Sequence, residues 1–483
     1  MPSPRVLTIT GLSVLLVAAL SAGCLVLTRQ GPSSTQTQRV PPAGSGSPPL
    51  PGSPSGKVSA TPTQALATAG PAAPGGSGVS LRQVDGGPSY YGRFSPSLPT
   101  SPSYFPIGVW FEGVVEQQQA IMDKDAGINT YVMLTGNTDL SIVRNAGMYA
   151  IQNNLPGPGS ETVGWVVSDE ADMWGGPGND RWTGHEPGGG DICEPADGKC
   201  GYTVQDTLSS RLPKDKRLRY ANYGKGVTFW ESTAEASVFV NKYQDVVSVD
   251  NYWMTDTNIC SWSEGGRFFR DSPESDQTDL PQDQCRRPAN YGKTVDKVRS
   301  MISPSGSKPV WNFVELGHPS SENESPTITA PQVEAAVWSS LIHGARGIIY
   351  FNHSFGGSCP TQHILREPCY AQIRGTVQAL NARILRMAPV LNAPFADDIV
   401  TVTGGADVSA KWYDGHFYLL AGSTEATSHP ATFSLPCVGD ATVEVLDERR
   451  TIEIRGGTFS DMFADANAVH LYRVNGGSGC GAY

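Results

Sequence analysis

The chain has 483 residues, 39% of them hydrophobic and only 17% charged, with a formal net charge of −11. That length leaves room for two or three domains and a large core over part of the chain. An acidic chain with no cluster of lysine or arginine is poorly suited to nucleic-acid phosphates or to an anionic membrane surface, so no nucleic-acid partner is expected.

Arg5 precedes an apolar run from Val6 to Leu27, broken only by Thr, Ser, Gly and Cys24. A positive charge before such a run is an export pattern, and its length approaches that of a bilayer span. Residues 1–29 therefore read as a signal peptide or membrane anchor. Three outcomes stay open: cleavage near Ala22, retention as a single anchor, and lipidation at Cys24. Leu20 to Cys24 resembles a bacterial lipobox, with Ser21 where that motif has Leu. All three put the body outside the cytoplasm, secreted or held on the outer face of the cytoplasmic membrane, and touch the membrane only through this segment. Residues 30–88 are rich in Pro, Ser, Gly, Thr and Ala. With little apolar surface to offset ordering entropy, they read as a flexible tether.

From Ser89 onward strand-like runs alternate with helix-like ones. Strands are expected at residues 105–110, 128–134, 148–152, 163–167, 218–223, 246–250, 309–314 and 347–351. Helices are expected at 116–125, 140–146, 293–302, 330–343 and 373–391, with Gly127 and Gly147 ending the first two. Short apolar strands alternating with helices suggest a parallel sheet covered by helices. Eight such units over residues 89–393 fit a (β/α)8 TIM barrel in the α/β class. A doubly wound open sheet is the alternative, but the first strand lacks the Gly-rich phosphate turn typical of one. Residues 394–483 show short β-like runs with Gly and Asp turns and read as a small antiparallel, sandwich-like β domain.

Nine cysteines occur, and Cys24 lies in the export segment. The other eight are an even number in an exported chain, which suggests disulfides. Sequential pairing gives 193–200, 260–285, 359–369 and 437–480. The absence of any CxxC argues against zinc, and no metal or other cofactor is expected.

In barrels of this kind the working residues sit at the C-terminal strand ends. Glu112 follows the first strand, Asn153 and Asn154 the third, and Ser168-Asp169-Glu170-Ala171-Asp172 the fourth. Asn222 lies at the end of the fifth. Asp250, Asn251, Tyr252 and Trp253 close the sixth, Glu315 and His318 the seventh, and Asn352 and His353 the eighth. Carboxylates, amides and aromatics thus gather on one rim. This mixture suits sugars, whose C–H faces stack on rings and whose hydroxyls bond amides and carboxylates. The substrate-contact candidates are Asp169, Asn153, Asn222, Asp250, Tyr252, Trp253, His318 and Asn352. Asp172 reads as a helix cap. Trp165 and Trp311, inside strands, read as core. The Trp174–Trp182 loop is a candidate cleft wall. Asn323 and Asn352 begin N-glycosylation sequons.

Glu170 and Glu315, at the ends of the fourth and seventh strands, resemble the paired glutamates of the clan A glycoside hydrolases. The resemblance covers roughly residues 100–390, by pattern more than identity. It implies an O-glycosyl hydrolase that retains anomeric configuration, with Glu170 as acid/base and Glu315 as nucleophile, acting on a poly- or oligosaccharide. The clan usually has Asn immediately before the fourth-strand Glu, to hold the sugar 2-hydroxyl. This chain has Asp169, which leaves the exact family open. A monomer is expected.

Other readings are a non-catalytic carbohydrate-binding or envelope-anchored barrel, and an inverting or transglycosylating enzyme. The sequence contains no Gly-x-Ser-x-Gly elbow, no His-Glu-x-x-His and no phosphate-binding loop, which argues against serine hydrolases, zinc proteases and nucleotide enzymes.

Overall fold

The computed structural model describes residues 79–153, 155–174, 201–269, 278–322, 324–477 and 480–481. The export segment, residues 30–78 of the tether, Asn154, the Cys193–Cys200 pair, residues 175–182 of the expected cleft wall and the Asn323 sequon lie outside these ranges. Among the described residues no helix is long and apolar enough to cross a membrane.

The first strand, β1 (Leu81–Arg82), pairs antiparallel with Phe395 and Ala396. The fold therefore begins inside the span read as tether, before Ser89. Eight parallel strands then close into a barrel. They are β2 (Ile107–Trp110), β3 (Thr130–Val132), β4 (Tyr149–Gln152), β5 (Thr162–Asp169), β6 (Leu218–Tyr223), β7 (Val246–Val249), β8 (Val310–Glu315) and β9 (Ile348–Phe351). All eight overlap the expected runs.

Nine α-helices accompany them among the described residues. These are α1 (Gln117–Asp125), α2 (Leu140–Asn145), α3 (Ala171–Trp174), α4 (Gly201–Arg211), α5 (Thr233–Lys242), α6 (Gln282–Cys285), α7 (Ala289–Met301), α8 (Ala330–Ile342) and α9 (Ala371–Leu391). The sequence reading missed α3 to α6. Of these, α5 carried a readable signal in its capping box. Ser232 Oγ accepts from the Glu235 amide, and Glu235 Oε2 accepts from the Ser232 amide at 2.9 Å. Gly127 ends α1 at φ +83°, where a Cβ would lie 2.5 Å from Asn381 of α9. That spot accepts only glycine.

Strand alternation sorts the side chains. Trp110, Val132, Ile151, Leu218, Tyr220, Val246, Trp311, Phe313 and Ile349 fill the barrel, while Ala221, Val247, Val249, Val310 and Val314 join the helix layer outside. The same parity puts Asn222 above Tyr220, Asp250 above Ser248 and Glu315 above Phe313. On β5 the register with β6 shifts between Val166 and Ser168.

The C-terminal region holds β10 (Phe395–Ala396), β11 (Thr401–Thr403), β12 (Ala406–Tyr413), β13 (His416–Ser423), β14 (His429–Ser434), β15 (Ala441–Val445), β16 (Arg450–Ile454), β17 (Thr458–Phe463) and β18 (Val469–Asn475). They form a seven-stranded sheet (β1-β10-β12-β13-β18-β15-β16) and a three-stranded one (β11-β14-β17). Leu419, Phe433, Phe459, Phe463 and Tyr472 belong to the core that the two sheets share. The sequence reading did not find β10, β16 and β17. Three expected disulfides are formed: Cys260–Cys285, Cys359–Cys369 and Cys437–Cys480.

The β domain is braced on the barrel. Leu420 and Leu471 belong to the barrel's outer core. The Lys411 side-chain nitrogen donates to the Leu391 and Ala393 carbonyls at the end of α9, both at 3.1 Å. His343, after α8, lies 2.6 Å from Asp296 of α7 and 3.2 Å from Asp407 of β12. Burial would lower the His343 pKa, but these two carboxylates outweigh it and raise it to about 9. A histidine pKa raised by folding contributes stability that is complete below its unfolded value, near 6.5, and is lost as pH climbs through about 9. The wild-type melting temperature should therefore fall between pH 7 and 10 by more than that of His343→Gln. Parallel pH profiles would contradict this clasp.

Candidate active site

The mouth of the barrel is built around Asn222. Its amide nitrogen donates to Asp169 Oδ1 at 3.0 Å and to Asp250 Oδ2 at 2.9 Å. Its amide oxygen accepts from Ser248 Oγ at 2.8 Å, and Ser248 is in turn bonded to the Tyr220 hydroxyl. Glu170 follows Asp169 at the end of β5, where the Asp250 charge bears on it. Its backbone is left-handed (φ +48°), and its amide donates to the Asn222 carbonyl at 3.0 Å. Phe111 and Met133, just after β2 and β3, share this conformation and donate to the neighbouring strand in the same way. The left-handed turn is thus a recurrent way of ending these strands and does not by itself mark Glu170.

Burial dominates the electrostatics. It pushes the Glu170 carboxyl well above the ordinary range, and the Asp250, Asp169 and Asp172 charges add to this. Asp250 is likewise raised well above its ordinary value by burial and then by Asp169. Burial raises Asp169 to about 6 against its bond from Asn222. Asp172, read as a helix cap, is fully buried. It accepts from the Gly224 amide at 3.1 Å and the Val227 amide at 2.8 Å, so it anchors the turn after β6.

Glu315 ends β8 and is fully buried. It accepts from Tyr291 Oη at 2.6 Å, Thr255 Oγ1 at 3.1 Å and the Met254 amide at 3.3 Å. Burial raises its pKa to about 7, and these donors hold it from rising further. Three donors leave one of a carboxylate's roughly four lone-pair directions unused. No sequence pattern points to Tyr291 or Thr255, which come from a helix start and a loop. Burial, then Asp250, Glu170, Glu315 and Asp169, hold the Tyr252 phenol protonated far above the ordinary range. Its ring packs on Phe351 at 5.2 Å.

Other expected contacts lie elsewhere. Trp253 is fully buried, donates to Thr294 Oγ1 at 2.8 Å and packs against Phe229 and Phe268, so it is core. His318 is buried, with one ring nitrogen 3.0 Å from Thr327 Oγ1 and the other 3.0 Å from the Glu322 carbonyl. Asn352 is fully buried, donating to Glu112 and accepting from the Leu365 amide at 2.9 Å, which also removes it as a glycosylation acceptor. His353 is buried 3.3 Å from the Trp110 carbonyl. Asn153 is exposed just past β4. Trp311 is core as expected, and Trp165 is buried with its indole donating to Asp215 at 3.0 Å. Asn251, beside Asp250, is buried with both amide atoms unpartnered. Among the described residues no group of three or more His, Cys, Asp or Glu side chains is placed to hold a metal ion.

No protein-family profile matches the chain, and no curated protein matches it. Solved structures of similar shape include a glycoside hydrolase at 12% identity (TM-score 0.44, covering 77% of this chain and 92% of that one). A family 5 glycoside hydrolase from Bacteroides vulgatus is 13% identical (TM-score 0.43, 77% and 89%). An Anoxybacillus alpha-amylase is 9% identical (TM-score 0.42, 78% and 98%). Likeness this distant assigns neither family nor activity.

Beneath the rim, Arg366 pairs with Glu112 at 3.0 Å and Asp123 at 2.6 Å, and all three are largely buried. Removing the guanidinium takes a cation from each of two buried carboxylates, Glu112 and Asp123. Arg366→Met should therefore cost about 3–5 kcal/mol in chemical denaturation. A loss under about 1 kcal/mol would show that the network is not supporting this side of the barrel.

Proposed function

We propose that the chain is an extracytoplasmic glycoside hydrolase that cleaves O-glycosidic bonds of a poly- or oligosaccharide with retention of configuration. What carries this reading is the placement of Glu170 and Glu315 where β5 and β8 reach the barrel mouth, with burial raising both carboxyl groups above the ordinary range. Glycosidic cleavage needs one carboxyl that can donate a proton and another that can attack or stabilise the anomeric carbon. The three disulfides support an oxidising compartment, in keeping with the export pattern of residues 1–29.

In this mechanism Glu170 gives its proton to the leaving oxygen as the C1–O bond breaks. A Glu315 oxygen bonds C1 and forms a glycosyl-enzyme. Glu170, now ionised, takes a proton from water as the water oxygen attacks C1 and Glu315 departs. Asp169, Asn222, Asp250 and Tyr252 are the proposed sugar contacts at the mouth. Asn153 is an exposed candidate farther out, while Trp253, His318 and Asn352 support the walls.

Glu315 must be ionised to attack and Glu170 must be protonated to donate. kcat/KM should therefore fall as pH drops below about 7 and fall again on the alkaline side as Glu170 ionises. A panel of nitrophenyl glycosides supplies the assay. Glu315→Ala should lose at least about 100-fold in rate and, with azide, give a glycosyl azide of inverted configuration. Full activity in that variant would exclude Glu315 as nucleophile.

One observation favours a second reading. The complete burial of Glu315 under Met254 and Thr255 also suits a barrel that binds glycan without cleaving it. In that case no glycoside turns over, and Glu315→Gln binds glycan like the wild type.

A further inference from the structure

We propose that Arg286 is a positioning residue for Glu315: its guanidinium holds the loop after β7 by its carbonyls, so that the loop's amide and hydroxyl donors face the Glu315 carboxyl. The proposal rests on the reading of Glu315 as the nucleophile.

The loop runs from Asp250 to Cys260, which is joined to Cys285 at the end of α6. Arg286 follows directly. Its Nη1 donates to the Met254 carbonyl at 2.9 Å and to the Trp253 carbonyl at 3.4 Å, and its Nη2 donates to the Asp256 carbonyl at 3.1 Å. Its Nε donates to Gln282 Oε1 at 2.8 Å, which fixes the plane of the group. A guanidinium presents its donors in a rigid fork, so carbonyls gathered on one fork define how the loop is turned.

The opposite side of the loop meets Glu315. The Trp253 carbonyl and the Met254 amide belong to one trans peptide unit and point opposite ways. With the carbonyl on Arg286, the amide is turned to the site. It donates to Glu315 Oε1 at 3.3 Å and to Tyr291 Oη at 3.2 Å. Thr255 Oγ1 donates to the same Glu315 oxygen at 3.1 Å, and Tyr291 Oη donates to the other at 2.6 Å. Two donors to Glu315 therefore sit on the loop that Arg286 holds, and the third is bonded to that loop.

The titratable groups bearing on Glu315 are the Tyr291 and Tyr252 phenols, both held protonated by burial first, and the Arg286 guanidinium itself. β9 sets the uncharged Phe351 ring beside it. The Asp256 carboxyl, on the same loop, is paired with Lys225 at 2.7 Å. That pair and the Cys260–Cys285 disulfide keep the loop attached without Arg286, so losing the guanidinium changes the loop's orientation before it changes the fold. A buried carboxylate stays ionised through the donors that meet it. A loop turned away weakens those bonds to the ionised form, and Glu315 then titrates higher.

Carboxyl 13C NMR of the full chain, labelled at Glu, tests this without substrate. The Glu315 signal is assigned by its loss in Glu315→Gln. In Arg286→Gln it should titrate at least about 0.5 pH unit above the wild type. On nitrophenyl glycosides the acidic limb of kcat/KM should move up with it. At neutral pH kcat should fall at least about 5-fold with KM little changed. Arg286→Lys keeps the charge and one carbonyl contact, so it should fall between the two. An Arg286 that only braced the loop would lower the melting temperature and leave the Glu315 titration and the acidic limb in place, and that result would overturn the proposal. Should Arg286→Gln fail to fold, Arg286→Lys decides. A lysine lacks the fork that bonds the Met254 and Asp256 carbonyls together, so Glu315 should still titrate above the wild type, and an unmoved signal refutes the assignment. Absence of hydrolysis in the wild type would remove the hydrolase reading but leave the NMR result intact, so the two failures are distinguishable.

Discussion

Asn222 donates to Asp169 and Asp250 with one amide nitrogen while its oxygen is tied to Ser248. The mouth of the barrel depends on that amide. Three carboxyl groups, Asp169, Glu170 and Asp250, crowd where β5, β6 and β7 end. In a partly desolvated site like charges repel strongly, and they persist only if donors or shared protons neutralise them. A neutral amide fixes two of the acids without ionising anything. The third, Glu170, is pushed well above the ordinary range by burial and by the neighbouring charges.

Such a mouth costs stability, and the rest of the chain offsets it. Large side chains pack the barrel interior, with Trp110, Tyr220, Trp311 and Phe313 meeting in ring contacts. The network of Arg366, Glu112 and Asp123 ties the end of β2 and α1 to the loop after β9. The β domain adds its own core and closes on α8 and α9 through apolar packing, Lys411 and the His343 clasp.

Much of the architecture was legible because it rests on local pattern. Each barrel strand is a short apolar run next to a turn, and a strand buried on both faces has that signature wherever it occurs. The positions of Glu170, Asp250 and Glu315 at strand ends followed directly. What stayed hidden depends on contacts between distant segments. Trp253 and His318 follow strands as the site residues do, yet one turns outward among aromatics and the other is held by Thr327 and Glu322. Tyr291 and Thr255 reach Glu315 from a helix start and a loop, and no spacing in the chain foretells that. β1 lies in a Pro- and Gly-rich stretch and became visible only through its partner, Phe395–Ala396.

The most direct test of the central claim is to trap the intermediate with a 2-deoxy-2-fluoro glycoside matched to whichever sugar turns over, and to locate the label by peptide mass spectrometry. The account predicts one glycosyl group on the peptide containing Glu315, absent in Glu315→Gln. Turnover with the label on Asp250 or Asp169 instead, or with no covalent label and inverted product, would contradict it.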